Sequence, residues 1–179
     1  QVLDGYKLNF SRTGDTYTLT GVNKPNGEPA LSGYNSNEGS DFFPLDSILS
    51  SHQDEANDPG NHNCFFGMRY DIEFTIGDYL GDLNYSFTGD DDLWVILDAQ
   101  KDGGQVVIDL GGIHSALSKE VDLWKILLKK DNDENYTEKE KQEYKDADTK
   151  HTLTILYMER GAYKSNCKMN FTLPNSRIV

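Results

Sequence analysis

Tyr85-Ser-Phe-Thr-Gly-Asp-Asp-Asp-Leu-Trp-Val-Ile-Leu-Asp98 is the stretch whose reading decides the fold. Tyr85 and Phe87 alternate with Ser86 and Thr88, the period of a strand with one buried face. Gly89 breaks the alternation, and Asp90, Asp91 and Asp92 follow as three carboxylates at one turn. Leu93 to Leu97 is then a continuous apolar run, which suits a strand covered on both faces. The stretch therefore reads as strand, acidic turn, strand. Three adjacent carboxylates repel one another and are costly to bury unpaired. Solvent, backbone N–H groups, an arginine or a hard cation such as calcium can offset that repulsion.

Downstream, 98–104 is a polar turn with Gly103-Gly104. Gln105-Val-Val-Ile-Asp-Leu110 is the next strand, so 93–97 and 105–110 should form a hairpin. Asp109 sits inside this apolar strand and needs donors. It is expected to tie down the Gly111-Gly112 bend. His114, directly after, reads as a structural hydrogen-bonding residue.

Upstream, Arg69 to Ile76 is the cleanest one-sided strand, with Tyr70, Ile72, Phe74 and Ile76 on one face. Residues 1–41 read as an N-terminal hairpin, Tyr6–Phe10 against Thr16–Thr20, and then a loop rich in Asn, Gly, Pro and Ser. Phe42-Phe-Pro-Leu45 is an apolar anchor, and 45–49 could make one helical turn. The polar segment 50–63 holds His52, Asp54, Glu55, Asp58 and His62. Their spacing matches no zinc pattern, and a solvated loop is the better reading.

Val121 to Leu128 is apolar enough for a core strand. Residues 129–150 form a charged insertion: Thr137 and Glu140 fit a capping box, with a helix expected over 138–147. Asp131-Asn-Asp-Glu-Asn135 resembles the start of an EF-hand loop. Tyr136 stands where Gly is required and Gln142 where Glu is required, so an EF-hand is rejected. His151–Tyr157 and Cys167–Leu173 close the set of alternating strands.

The chain has 179 residues, a formal net charge of −13 and ten tyrosines. This length suits one domain with a real core. The acidic balance argues against nucleic acid and anionic membranes as partners. No apolar run reaches the 18 residues of a membrane span. Cys64 and Cys167 form no CxxC pattern and are either one disulfide or two buried thiols. No Gly-x-Ser-x-Gly elbow, P-loop or dinucleotide fingerprint is present. The acidic turn suits sharing a cation better than flanking a sugar across a catalytic cleft. The chain is therefore expected not to be an enzyme.

Three motifs together resemble a known family. They are Phe-Thr-Gly-Asp-Asp-Asp-Leu-Trp-Val at 87–95, Val-Ile-Asp-Leu-Gly-Gly-Ile-His at 107–114 and Tyr-Met-Glu-Arg-Gly-Ala at 157–162. In that order they resemble the fibro-slime branch of the PA14 domain family, over about Phe42 to Pro174. The resemblance implies an all-β antiparallel sandwich with a short helical insertion, a single unit over 1–179. It implies a calcium-dependent, glycan-binding adhesin module of a bacterial cell-surface protein, extracellular and anchored through parts outside this chain.

By that resemblance Asp90 and Asp91 match an aspartate pair that grips calcium. Asp92 departs from the glycine common in the family. Asn166 would supply a further oxygen and Tyr163 would stack on the sugar. Glu159 and Arg160 belong to the family motif and are expected to brace their loop through an internal ion pair, to Asp109 or to the triple aspartate. In this fold class the first and last strands often pair, which would bring Cys64 near Cys167. Two other readings stay open: a spacer module in a surface stalk with a purely stabilising calcium ion, and a domain that assembles with a partner surface protein.

Overall fold

A computed structural model describes residues 4–23, 29–30, 42–45, 65–112, 114–160 and 165–179. The chain folds as two antiparallel sheets facing one another. The strands are β1 (Lys7–Thr13), β2 (Thr16–Asn23), β3 (Pro29–Ala30), β4 (Phe65–Phe74), β5 (Asn84–Gly89), β6 (Asp92–Leu97), β7 (Gln105–Leu110), β8 (Leu117–Asp122), β9 (His151–Arg160), β10 (Cys167–Thr172) and β11 (Arg177–Ile178). One sheet runs β1-β2-β10-β5-β8, with β3 also on β2; the other runs β11-β4-β9-β6-β7. Two short helices, α1 (Leu123–Leu127) and α2 (Glu138–Gln142), lie between β8 and β9.

The alternating segments become strands because each buries one apolar row between the sheets. Tyr70, Ile72 and Phe74 of β4 face Tyr85 and Phe87 of β5, and all are at most 5% exposed. The sheets touch through specific groups. Tyr70 and Tyr85 share a hydroxyl–hydroxyl hydrogen bond of 3.1 Å. The Phe87 and Tyr157 rings lie 6.1 Å apart. Phe42 and Phe43 are buried, and the Phe42 N–H donates to the Ser165 carbonyl at 3.1 Å.

The expected hairpin of 93–97 with 105–110 is present as β6–β7, with a bulge between Val95 and Ile96. The 85–98 stretch is strand, turn, strand, but it is not a hairpin. β5 belongs to one sheet and β6 to the other, so Asp90 and Asp91 carry the chain across the end of the sandwich. Nor is β6 fully covered: Leu93, Val95 and Leu97 are buried while Trp94 and Ile96 are half-buried on the outer face.

Val121 to Leu128 is not one strand. β8 ends at Asp122, whose carboxylate caps α1 by accepting the Trp124 N–H at 2.9 Å. Leu123 and Trp124 then turn into the core, both fully buried, and the Trp124 indole N–H donates to the Gly81 carbonyl. A cap and one helical turn place both side chains inward, which strand alternation forbids.

The capping box at Thr137 and Glu140 forms, but the helix it starts ends at Gln142 rather than near 147. Lys141 anchors α2 by donating to the Leu80 carbonyl, with its ammonium over the Trp124 and Tyr136 rings. Among the described residues no helix is long and apolar enough to cross a membrane.

Candidate functional site

The crossover between β5 and β6 is where the singled-out residues meet. Gly89 ends β5 under tight packing: a Cβ there would come within 2.1 Å of the Asn166 carbonyl oxygen. Asp91 follows with φ of +61°, a left-handed conformation that Asp tolerates better than most residues. That kink separates the three carboxylates and sends each to a different partner.

Asp90 accepts two hydrogen bonds from Asn166, from the backbone N–H at 2.8 Å and from the side-chain amide at 2.6 Å. Asp91 accepts the Arg160 backbone N–H at 2.6 Å. Asp92, which is 4% exposed, forms an ion pair with the Arg160 guanidinium and also accepts the Gly112 N–H.

Of these two motif residues, Arg160 is the one ion-paired to the triple aspartate. β9 alternation sends Arg160 outward to Asp92 and Glu159 inward. The Glu159 carboxyl is 2% exposed, accepts the Tyr157 hydroxyl at 3.0 Å, and lies within hydrogen-bonding reach of Ser165 and Asp91. Burial first, then the neighbouring Asp91 carboxyl, push its pKa well above the usual range, against the opposing hydrogen bonds of Ser165 and Tyr157. It is an acid group facing another carboxylate, with the nearby arginine committed elsewhere.

Asp109 ties down the Gly-Gly bend, its Oδ1 accepting the Gly111 N–H at 3.0 Å. His114 sits beside it with Nδ1 2.9 Å from the Ser115 carbonyl and Nε2 3.1 Å from the Leu110 carbonyl. The carbonyl of Ser115 and then that of Leu110 raise its pKa against partial burial, with further help from the Asp91 and Asp92 charges. Only the imidazolium can donate to both carbonyls at once.

Cys167 is buried at the start of β10, opposite Gly89. Cys64 and Tyr163 lie outside the described residues, as do 46–49 and the His and carboxylates of 50–63.

The structure therefore brings Asp90, Asp91, Asp92, Asn166, Glu159 and Arg160 to one end of the sandwich. Ser165 and Tyr157 belong with them and were not singled out by the sequence. Tyr157 reads there as a core position, and only the folded structure shows its hydroxyl on Glu159. Among the described residues, no group of three or more His, Cys, Asp and Glu side chains is placed to hold a metal ion. The donors of Asp90, Asp91, Glu159 and Asn166 are all oxygens except one amide nitrogen, which suits a hard cation and not zinc. Asp92 is outside that set, because Arg160 already balances it.

A two-sheet β module with an acidic crossover is the class that fold and site define. Its relatives are proteins of the slime mould Dictyostelium discoideum. The chain is 36% identical over 93 residues to protein psiH, covering 50% of this chain and 12% of that protein. It is 29% identical over 136 residues to protein psiI, covering 74% of this chain and 15% of that protein. It is 34% identical over 122 residues to protein psiD, covering 66% of this chain and 19% of that protein. The chain thus spans less than a fifth of the length of these relatives. No family model matches it, and no solved structure matches it.

These findings correct the assignment drawn from the three motifs. The relatives are eukaryotic psi proteins and not bacterial adhesins, and no family model supports the fibro-slime PA14 assignment. Asp90, Asp91, Asp92, Glu159 and Arg160 of these motifs meet at the crossover, but they do not carry a bacterial origin.

Proposed function

We propose that this chain is a non-catalytic recognition module of a larger extracellular protein, and that its crossover end holds a calcium ion through which a glycan or other surface ligand is bound. The Asp91–Glu159 pair carries the reading. Two carboxyl groups in contact, one of them buried, are relieved either by a shared proton or by a cation. The Arg160 guanidinium is spent on Asp92, and Arg160 gives the pair only its backbone N–H, on Asp91. Asp91 and Glu159 would hold the ion, and Asp90 and the amide oxygen of Asn166 would join them only by giving up the hydrogen bond they share. Calcium takes six to eight oxygens, so when bound it supplies coordination positions for ligand hydroxyls. The small share of each relative that the chain covers supports the module reading.

Calorimetric titration with calcium, repeated in buffers of different ionisation enthalpy, tests this. Calcium must displace the Glu159 proton, so binding should release protons near neutral pH and do so less in Glu159→Gln. Absence of saturable heat in the wild type rejects the reading.

A second reading has its own support. Every carboxylate of the triple aspartate already has a protein donor. The crossover is then a clasp that closes a scaffold or partner-assembly module without an ion. Binding of a glycan panel in calcium and in chelator separates the two.

A further inference from the structure

At the pole opposite the acidic crossover lies a cavity of about 320 Å³, lined by Arg12, Asp15, Tyr17, Tyr79, Leu173, Pro174, Asn175 and Ser176. Register places it there. Asn84, at the start of β5, pairs with Thr172, and Thr172 pairs with Thr16, whereas Gly89 at the other end of β5 pairs with Cys167 beside the crossover. We propose that this cavity is a second binding site, for one ring of an uncharged sugar, and that it works without calcium.

Its aromatic walls are fixed before any ligand arrives. Tyr17 stacks on Phe171 with ring centroids 5.0 Å apart and an interplanar angle of 14°. The Tyr79 hydroxyl donates to the Asp82 carbonyl at 2.9 Å. The Tyr79 ring lies on Gly81, where a Cβ would come within 2.4 Å of the phenol oxygen. Tyr79 held in this way offers an apolar ring at small cost in conformational entropy, while Tyr17, between Phe171 and the Arg12 guanidinium, offers its edge and hydroxyl. The volume is at the low end of the range for small-molecule sites, about 300–1,000 Å³.

The rim selects the ligand's charge. The Arg12 guanidinium lies 5.4 Å from the Tyr17 ring centroid, donates to the Gly14 carbonyl, and stands 3.3 Å from Asp15. Arg only donates hydrogen bonds, and ionised Asp only accepts them. A simple anion would meet the Asp15 charge, and a simple cation the Arg12 charge. A hydroxyl both donates and accepts, so a neutral polyol satisfies both groups, while its C–H face packs on Tyr79.

The test is amide chemical-shift mapping on the whole chain with uncharged hexoses and N-acetylhexosamines, in chelator. Dissociation constants on the order of millimolar are expected for a single ring. At least one sugar should shift amides in 12–17, 79–82 and 173–176 saturably. Arg12→Gln and Asp15→Asn, both at exposed positions, should weaken it at least tenfold, and Asp91→Asn should leave it unchanged. The proposal is overturned if no neutral sugar shifts these amides. It is equally overturned if glucosamine or glucuronate binds more tightly than the neutral sugars, or if both rim variants bind as the wild type does. Loss of the calcium site would not affect any of these outcomes, so the two readings fail separately.

Discussion

Arg160 and Asp92 form an ion pair across neighbouring strands of one sheet, and the Asp92 side chain is 6% exposed while that of Arg160 is 39% exposed. The pair decides which carboxylates are left for anything else. Removing the guanidinium strands a buried charge, a change that costs about 3–5 kcal/mol when the pair is fully buried. The partial exposure of Arg160 reduces that. Arg160→Ala should therefore lose roughly 2 kcal/mol in urea denaturation with an unchanged slope. Arg160→Lys should lose less, because it keeps the charge but not the fork. A loss below about 0.5 kcal/mol for Arg160→Ala would show that solvent or another group balances Asp92.

Gly89 is required by contact and not by backbone angle. A Cβ there would sit 2.1 Å from the Asn166 carbonyl and 2.5 Å from the Phe87 ring. Gly89→Ala must push the β10 backbone away and break the Asp90–Asn166 bonds. A loss of about 2–3 kcal/mol or failure to fold is expected. Thermal melting within a few degrees of the wild type would contradict the packing described.

Glu159 gives stability a pH dependence of definite sign. Its carboxyl is pushed up from 4.5 to about 8 in the folded chain, chiefly by burial. Between those values the folded state holds a proton that the unfolded state has released. The contribution is full below about pH 4.5 and is lost as the pH rises toward 8. In chelator, Glu159→Gln should therefore gain on the wild type as the pH rises through this window. The full shift corresponds to a gain on the order of 5 kcal/mol by pH 8, since one pKa unit is worth about 1.4 kcal/mol. Parallel stability curves for the two proteins would show that Glu159 is ionised in both states.

Asp122 joins the end of β8 to the charged insertion. Its carboxylate caps α1 through the Trp124 N–H and accepts the Tyr136 hydroxyl at 2.8 Å. Asp122→Ala should cost about 2 kcal/mol, and Tyr136→Phe about 1 kcal/mol. The double variant should cost little more than Asp122→Ala alone, because both changes remove the same bond. Additive losses in chemical denaturation would show that Tyr136 is held by something else.

Much of the fold was legible because period-two alternation is a local signal. Tyr70 to Ile76, His151 to Tyr157 and Cys167 to Leu173 each keep their apolar row inward in the structure. The Thr137–Glu140 capping box and the Asp109 tether to Gly111 are also local, and both are present.

Sheet membership is not local. Nothing in the alternation of Tyr85 and Phe87 says that β5 and β6 lie in different sheets, and only the folded structure makes the acidic turn a crossover. The apolar run at 121–128 reads as a core strand, but apolar content alone does not separate strand from helix, and the Asp122 cap starts a helix at Leu123. Glu159 is next to Arg160 in sequence, yet it faces the core while Arg160 pairs with Asp92. Adjacency in a strand puts side chains on opposite faces, and that is what separates them.

The central claim is that the crossover end binds calcium through Asp91 and Glu159, and thermal melts in chelator and in millimolar calcium test it most directly. An ion bound only by the folded state stabilises it by about 2.7 kcal/mol at a hundredfold excess over its dissociation constant. The wild type should melt several degrees higher in calcium. Asp91→Asn, which keeps a residue tolerant of the left-handed backbone, should lose most of that shift while retaining the fold. Superimposed wild-type melts in calcium and chelator would contradict the claim and leave the crossover as a hydrogen-bonded clasp.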